Sequence, residues 1–282
     1  MPTKAIPGGA SWRHRAAAVC GAALLAVAAL GVVPAAAQTL DNVLSYKKIK
    51  IGVLLENAPF GFIDQAGTPV GFNIDVANLI VERLGDDIEI EVVPTTNASR
   101  IANLTTGGID MAVATISMLP ERAEVIQFSK PYTQFENIVV GSPDRQIAEF
   151  ADLSGLRIGV GQGSTAETAM LDSAPSDATV QTFADRAAAL QALQAGQVDV
   201  IADDSLVLVV LGEIVPGEYE KKFAFSEMWV GVGLPKGQPD YLERVNAAID
   251  DIRANGQLLE LHQKWLSRDL PEWPESLPGI PF

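Results

Sequence analysis

From residue 49 onward the chain alternates between two hydrophobic periods. Residues 49–55 form a short apolar run, and 71–84 then sets Phe72, Val76, Leu79, Ile80 and Leu84 at helical spacing. Ile88, Ile90 and Val92 alternate with Glu89 and Glu91, the period of a half-buried strand. Residues 97–106 read as a helix with Ile101 and Leu104 inward, 111–115 as a buried strand, and 120–125 as a helix opened by Pro120. This β-α-β-α-β order implies an open α/β sheet. The order then begins again: strand 157–160, a Gly161-Gln162-Gly163 turn, helix 164–171, strand 180–183, helix 185–195 and strand 198–202. Two α/β lobes with a small-molecule cleft between them are the simplest account. An extended apolar segment at 229–234 and two amphipathic helices, 241–254 and 257–266, follow. The last stretch, 271–282, has four prolines and is expected to lie extended on the surface.

The N-terminus breaks this pattern. Lys4, Arg13 and Arg15 precede an uncharged run, 16–37, that ends in Ala35, Ala36 and Ala37. A basic start, an apolar stretch and small residues before a cleavage point predict a secretory signal peptide over 1–37, cut near Ala37. An uncleaved anchor is the rival reading, since the run is about long enough to span a bilayer. Cleavage changes the composition: three of the 20 basic residues leave and none of the 35 acidic ones, so the net charge moves from −15 to −18. Cys20, the only Cys, and one of the two His go as well. Such a chain repels phosphate backbones and has no basic stripe to offset this, so nucleic-acid binding is not expected. With His262 alone, no thiolate or multi-His metal site is expected, and a Ser-His-Asp triad would have to use that one His.

Three segments carry candidate chemistry. Residues 114–122 put the hydroxyls of Thr115 and Ser117 at a strand end, with Arg122 one helical turn further on. A carboxylate needs such a cation with donors around it. Gly161-Gln162-Gly163-Ser164-Thr165 leads into a helix whose N-terminus attracts anions, although a plain glycine turn accounts for the same residues. Asp203 and Asp204 follow a buried strand and suit an ammonium group, or a helix cap in the case of Asp204.

Taken in order, these residues resemble the extracytoplasmic amino-acid-binding proteins of ABC importers, the polar-amino-acid group (family 3). The resemblance runs over about 46–266. Gly71-Phe72-Asn73-Ile74-Asp75 is similar to the family's GFDID, with Asn73 in place of an acid; Pro120-Glu121-Arg122-Ala123 is similar to PERA; Phe128-Ser129-Lys130-Pro131-Tyr132 to FSDPY, with Lys130 replacing Asp. Gly107-Gly108-Ile109-Asp110 and Gly196-Gln197-Val198-Asp199 resemble its GKVD turns, and Lys264-Trp265 its C-terminal KW.

The resemblance implies an α/β two-lobe periplasmic-binding-protein-like II fold with two hinge crossings, near 133–137 and 225–230, and a ligand cleft between the lobes. Its expected parts are lobe 1 at 38–135 and 228–270, lobe 2 at 136–227, and the tail at 271–282. It also implies a role for each residue. Arg122, Ser117, Thr165 and the backbone N–H of Leu119, where relatives often have Thr, would hold the ligand α-carboxylate. Asp204 would hold the α-ammonium. Leu54, Asn57, Phe60, Asn97, Arg100, Gly161 and Asp203 would line the side-chain pocket. Asn57 and Asn97 stand where many relatives place aromatic rings, and Arg100 resembles the Arg of the NRIP pattern in acidic-amino-acid binders; an interlobe salt bridge is its alternative role.

The expectation is therefore a monomeric periplasmic receptor that needs no cofactor, metal or catalytic residue. It would capture a free amino acid, amide or acidic in first place, and deliver it to a membrane permease. Alternatives are a cationic ligand drawn to Asp203 and Glu56, a periplasmic prephenate- or arogenate-dehydratase-type enzyme with Glu56, Asp203 or Asp204 as general acid, and a sensing module.

Overall fold

The computed structural model describes residues 39–282. The expected signal peptide, its cleavage near Ala37 and Cys20 lie outside the described residues. The first half opens with α1 (Thr39–Tyr46), β1 (Lys48–Leu54) and three short strands, β2 (Glu56–Asn57), β3 (Gly61–Ile63) and β4 (Pro69–Val70). It continues through α2 (Phe72–Leu84), β5 (Glu89–Thr95), α3 (Arg100–Thr105), β6 (Met111–Ser117) and α4 (Pro120–Ala123) to the 16-residue strand β7 (Ile126–Gly141). The second half holds β8 (Arg157–Gly161), α5 (Thr165–Ser173), β9 (Thr179–Phe183), α6 (Arg186–Gln194), β10 (Val200–Asp204) and α7 (Val207–Ile214). The chain then returns along the 16-residue β11 (Glu220–Pro235) and closes the first half with α8 (Pro239–Ala254) and α9 (Gln257–Leu261).

One sheet of eight strands, ordered β5-β1-β6-β11-β7-β10-β8-β9, runs through both halves. Its two flanks are parallel, β1 with β5 and β6, and β8 with β9 and β10, as crossover helices require. Its centre is the antiparallel pair β7 and β11, which hydrogen-bond from Gly141 and Glu220 at one end to Ile126 and Pro235 at the other. Each half has its own core on both faces of its part of the sheet. Along β6, Met111 and Val113 pack on one face while Ala112, Ala114 and Ile116 pack on the other. Along β7, Ile138 and Val140 face α6, and Val139 faces α5.

The helical patterns read from the sequence recur as α2, α3, α5, α6 and α8, with Val245, Ile249 and Ile252 buried on the inner face of α8. Two expectations change. Asp203 and Asp204 belong to β10 itself rather than lying beyond it, and α7 is preceded by Leu206. The proline-rich tail is docked: Ile280 is buried with Ile116, Ile126 and Phe128, and Trp273 tilts against Trp229 with Arg253 stacked 3.9 Å over its ring. Four prolines preclude regular structure there, but Trp273, Leu277, Ile280 and Phe282 supply enough apolar surface to anchor it.

His262 shows what buried polar groups do in the first half. It is fully buried, edge-on to Phe72 at 5.1 Å, and its Nε2 donates to the Tyr132 carbonyl at 3.1 Å. Burial, aided by the Arg268 charge and opposed by the Tyr132 bond, lowers its pKa from the usual 6.5 to about 4. The folded protein thus keeps His262 neutral where the unfolded chain protonates it, so its contribution is complete above pH ~6.5 and disappears as pH falls toward 4. In urea titrations, the unfolding free energy of the unaltered chain should fall relative to His262→Gln by up to ~3 kcal/mol between about pH 7 and pH 4. Parallel pH profiles for the two proteins would exclude this assignment.

Candidate functional site

A polar cavity opens between the two halves. Strand ends and helix beginnings supply its walls: Thr115 and Ser117 from β6, Gly161 from β8, Asp203 and Asp204 from β10, Arg100 from α3, Arg186 from α6, and Ser164, Thr165 and Ala166 from the first turn of α5. Asn57, Asn97, Phe135 and Asn137 complete it. The polar character follows from topology, because carboxyl ends of strands and amino ends of helices leave backbone groups unpaired. Ser164 caps α5 by accepting from the Glu167 N–H at 3.0 Å, which leaves the earliest N–H groups of that helix available to an anion.

On the first-half side, Thr115 adopts a left-handed conformation, φ 53°. This turns consecutive carbonyls the same way, so that Arg100 Nη1 donates to both Ala114 O at 2.6 Å and Thr115 O at 3.1 Å. Such a conformation costs a non-glycine residue about 1–3 kcal/mol and needs support. Support comes from Asn73, whose Nδ2 donates to Thr115 Oγ1 at 2.9 Å while its Oδ1 accepts from the Tyr132 hydroxyl at 3.0 Å. Arg100 is 2% exposed, and its Nε has no partner. Burial and the neighbouring Arg122 charge pull its pKa well below the guanidinium range. Arg122 is held by Ser117 O at 3.2 Å and, across the cleft, by Gly163 O at 3.5 Å. Among the described residues neither Arg100 nor Arg122 has a carboxylate within 4 Å.

On the other side, Arg186 meets both acids. Its Nε and Nη2 donate to the two oxygens of Asp203, each at 2.8 Å, Nη2 also bonds Asp204, and Nη1 crosses the cleft to Ala58 O at 3.1 Å. Burial opposes the Arg186 charge, but Asp203 and Asp204 outweigh it and raise its pKa. Burial together with the Asp203 charge pushes Asp204 up to about 6 against the pull of Arg186. Thr165 is oriented by Asn137, whose Nδ2 donates to Thr165 Oγ1 at 3.0 Å and to Ser226 Oγ at 2.9 Å.

Of the residues singled out in the sequence, Ser117, Thr165, Asp204, Asn57, Asn97, Arg100, Gly161 and Asp203 line this cavity; Arg122 does not line it but bonds the carbonyls of Ser117 and Gly163 at its edge. Leu119 precedes α4 without lining the cavity. Leu54 borders a neighbouring hollow instead. Phe60 does not line the cavity: it is fully buried, edge-on to Phe72 and Phe135, and supports the wall from beneath through Phe135. Reading by sequence missed Thr115's conformation, Phe135, Asn137 and above all Arg186. Arg186 did carry a signal, because a cation in the first turn of a helix opposes the macrodipole and needs a reason to be there.

Two α/β halves joined by two crossing strands, with a polar cavity closed between them, define a ligand receptor of the two-lobe type. The chain belongs to the bacterial extracellular solute-binding proteins, family 3, which match residues 49–268. It is 28% identical over 237 residues to the glutamine-binding protein GlnH of an ABC transporter of Bacillus subtilis, covering 83% of this chain and 86% of that one. It is 29% identical over 239 residues to the L-cystine-binding protein TcyJ of Escherichia coli, covering 82% and 87%. Among solved structures, an ancestral arginine-binding protein bound to glutamine superimposes with a TM-score of 0.74 at 29% identity, covering 79% of this chain and 99% of that one. Family and relatives are binding proteins, and the chain is a solute receptor rather than an enzyme.

The halves touch across the cavity at Gly163. A Cβ added there would lie 2.8 Å from both N and Cα of Ala98, and φ is 73°. Gly163→Ala should therefore loosen this contact, and hydrogen exchange at the amides of residues 97–99 and 163–165 should speed up about tenfold, matching ~1–2 kcal/mol of strain, with Val113 unchanged. Unchanged exchange at both segments would mean that the contact contributes nothing to closure.

Proposed function

We propose that the chain captures a free α-amino acid with an amide or acidic side chain between two lobes and delivers it to the membrane permease of an ABC importer. The relatives named for glutamine, cystine and arginine binding support an amino-acid ligand and an ABC partner. In this reading lobe 1 comprises 38–135 and 228–270 and lobe 2 comprises 136–227. The lobes hinge where β7 and β11 pair, around Gln134 with Trp229 and Asn137 with Ser226. The protein works as a periplasmic monomer, freed by signal-peptide cleavage near Ala37.

The observation that carries the reading is that Ser117 and the first turn of α5 line a single cavity from opposite halves, with Asp204 in its wall and Arg122 bonded at its edge to the Ser117 and Gly163 carbonyls. The first set suits an α-carboxylate: a guanidinium, a hydroxyl and unpaired helix N–H groups converge from both halves. Asp204 suits the α-ammonium. Closure then follows binding, because only the closed form brings both sets onto one ligand.

Arg122→Ala should raise the Kd of the best amino acid about a hundredfold, ~3 kcal/mol, in isothermal titration calorimetry, with the melting temperature of the ligand-free protein nearly unchanged. Asp204→Asn should weaken that amino acid more than its deaminated analogue. Retention of wild-type affinity by Arg122→Ala, or equal losses for both ligands with Asp204→Asn, would refute the corresponding role.

A further inference from the structure

The carboxylate and ammonium sites leave two buried guanidiniums of the cavity, Arg100 and Arg186, without a task, and their situations are opposite. Arg186 is 6% exposed and fully engaged: a two-pronged bond to Asp203, a bond to Asp204 and the crossing to Ala58 O use its Nε and both terminal nitrogens. Asp204 Oδ1 accepts from the Leu206 N–H at 3.0 Å, and Asp203 Oδ1 also accepts from the Asp204 N–H at 2.7 Å. Without Arg186, two adjacent carboxylates in a cleft wall would form a strong cation site. With it, the pair carries one net negative charge instead of two. Arg100 has no such partner. Its Nη1 is satisfied by two carbonyls, its Nε is unpartnered, and among the described residues no carboxylate lies within 4 Å of it, while the Arg122 charge acts against it. A buried cation in that position is costly until an anion arrives.

We propose that Arg186 is a specificity-determining residue: a built-in counter-cation to Asp203 and Asp204 that leaves Arg100, among the described residues of the cavity, as the charge matched neither within the protein nor by the ligand's α-carboxylate and α-ammonium. The cleft thereby selects an amino acid with a second carboxylate over amide and cationic ones. This rests on the reading of the cleft as an amino-acid site. Charge matching favours it over each competitor. With an acidic amino acid seated, Arg100, Arg122, Arg186 and the ligand ammonium face Asp203, Asp204 and two ligand carboxylates, and every charge is matched. An amide leaves one cation unmatched and lysine or arginine leaves two, whereas a dicarboxylate without an amino group leaves one anion. Unmatched buried charge is what lowers affinity in a desolvated site.

Calorimetric titration of the full chain with L-glutamate, L-aspartate, L-glutamine, L-asparagine, L-lysine and L-arginine tests this. The unaltered protein should bind one of the two acidic amino acids at least about tenfold more tightly than its amide, and the cationic pair weakest of all. Arg186→Met should tighten L-lysine or L-arginine at least about tenfold by uncovering the acid pair, and Arg186→Lys, which keeps a cation there, should not. Arg100→Met should bring acid and amide to within about threefold of one another, and it carries the test where Arg186→Met does not fold. Tightest binding of an amino acid without a second carboxylate overturns the assignment while leaving the receptor reading intact. So does an unchanged acid-to-amide ratio in Arg100→Met, or unchanged cation binding in a folded Arg186→Met. No binding of any α-amino acid overturns the receptor reading, and the assignment with it.

Discussion

A charge removed from water has to meet an opposite charge or a set of aimed dipoles, and that constraint organises the cleft of this protein. Asp203 and Asp204 stand next to each other at the end of β10, buried or nearly so, where mutual repulsion alone would favour protonating one of them. Arg186 resolves the conflict from the first turn of α6. Its position there is electrostatically poor with respect to the helix dipole, but Asp185 caps the same helix by accepting from the Ala188 N–H at 2.8 Å, and the two Asp charges compensate the Arg. On the facing wall Arg100 and Arg122 have only carbonyl dipoles. The site is thus two-sided: a wall where Arg186 offsets one of two carboxylates, and a wall whose two guanidiniums meet only carbonyls.

Close to Thr115 stands one departure from the motif that the chain resembles. Where that pattern has an acid, this chain has Asn73, a neutral group that reaches Thr115 through its amide and Tyr132 through its carbonyl oxygen. Asn can donate and accept at once, so it props up the left-handed Thr115 without placing a negative charge among the residues around Arg100. A carboxylate there would accept from Thr115 and Tyr132 and would also lie near Arg100, whose Nη1 is bonded to the Thr115 carbonyl.

The sequence disclosed what depends on local period and short motifs. The helices α2 and α8, the buried strand β6 and the residues facing the cavity from β6 and β10 follow from apolar spacing and from the motif resemblance. It was mute where pairing is long-range. β7 and β11 are each 16 residues long and pair over nearly their whole length, yet β11 begins Glu220-Lys221-Lys222, a composition that reads as surface loop. Lys221 there is half exposed and bonded to Glu136 on β7, whereas the Lys222 side chain is nearly buried and donates to the Arg145 carbonyl and to Glu220. Phe60 was misplaced for a related reason: position along the chain puts it near the pocket, but only packing decides on which side of the wall a ring falls. Ties between distant motifs are equally invisible in one dimension. Asp75 of the Gly71 motif accepts from Trp265 Nε1 at 2.7 Å and from Lys264 Nζ at 2.8 Å, which joins the first and last signature segments of the chain.

The groups that settle or await charge are also the groups that span the cleft. Arg186 reaches Ala58 O and Arg122 reaches Gly163 O, in opposite directions across the same cavity. Both bonds are lost when the halves separate, whereas the Arg186 bonds to Asp203 and Asp204 lie within one half and survive. The acid pair is thus capped within one half, whereas the crossing bonds of Arg122 and Arg186 require the two halves to be together. In the proposed reading, a ligand anion at Arg122 would supply the charge that makes burial of the guanidiniums tolerable and would favour the state in which the crossing bonds form. Differential affinity for the closed state is all that a ligand needs to shift the population toward it. In the proposed reading that difference comes mainly from charge, since a neutral occupant of equal shape would fill the cavity without lowering the cost of burying Arg100.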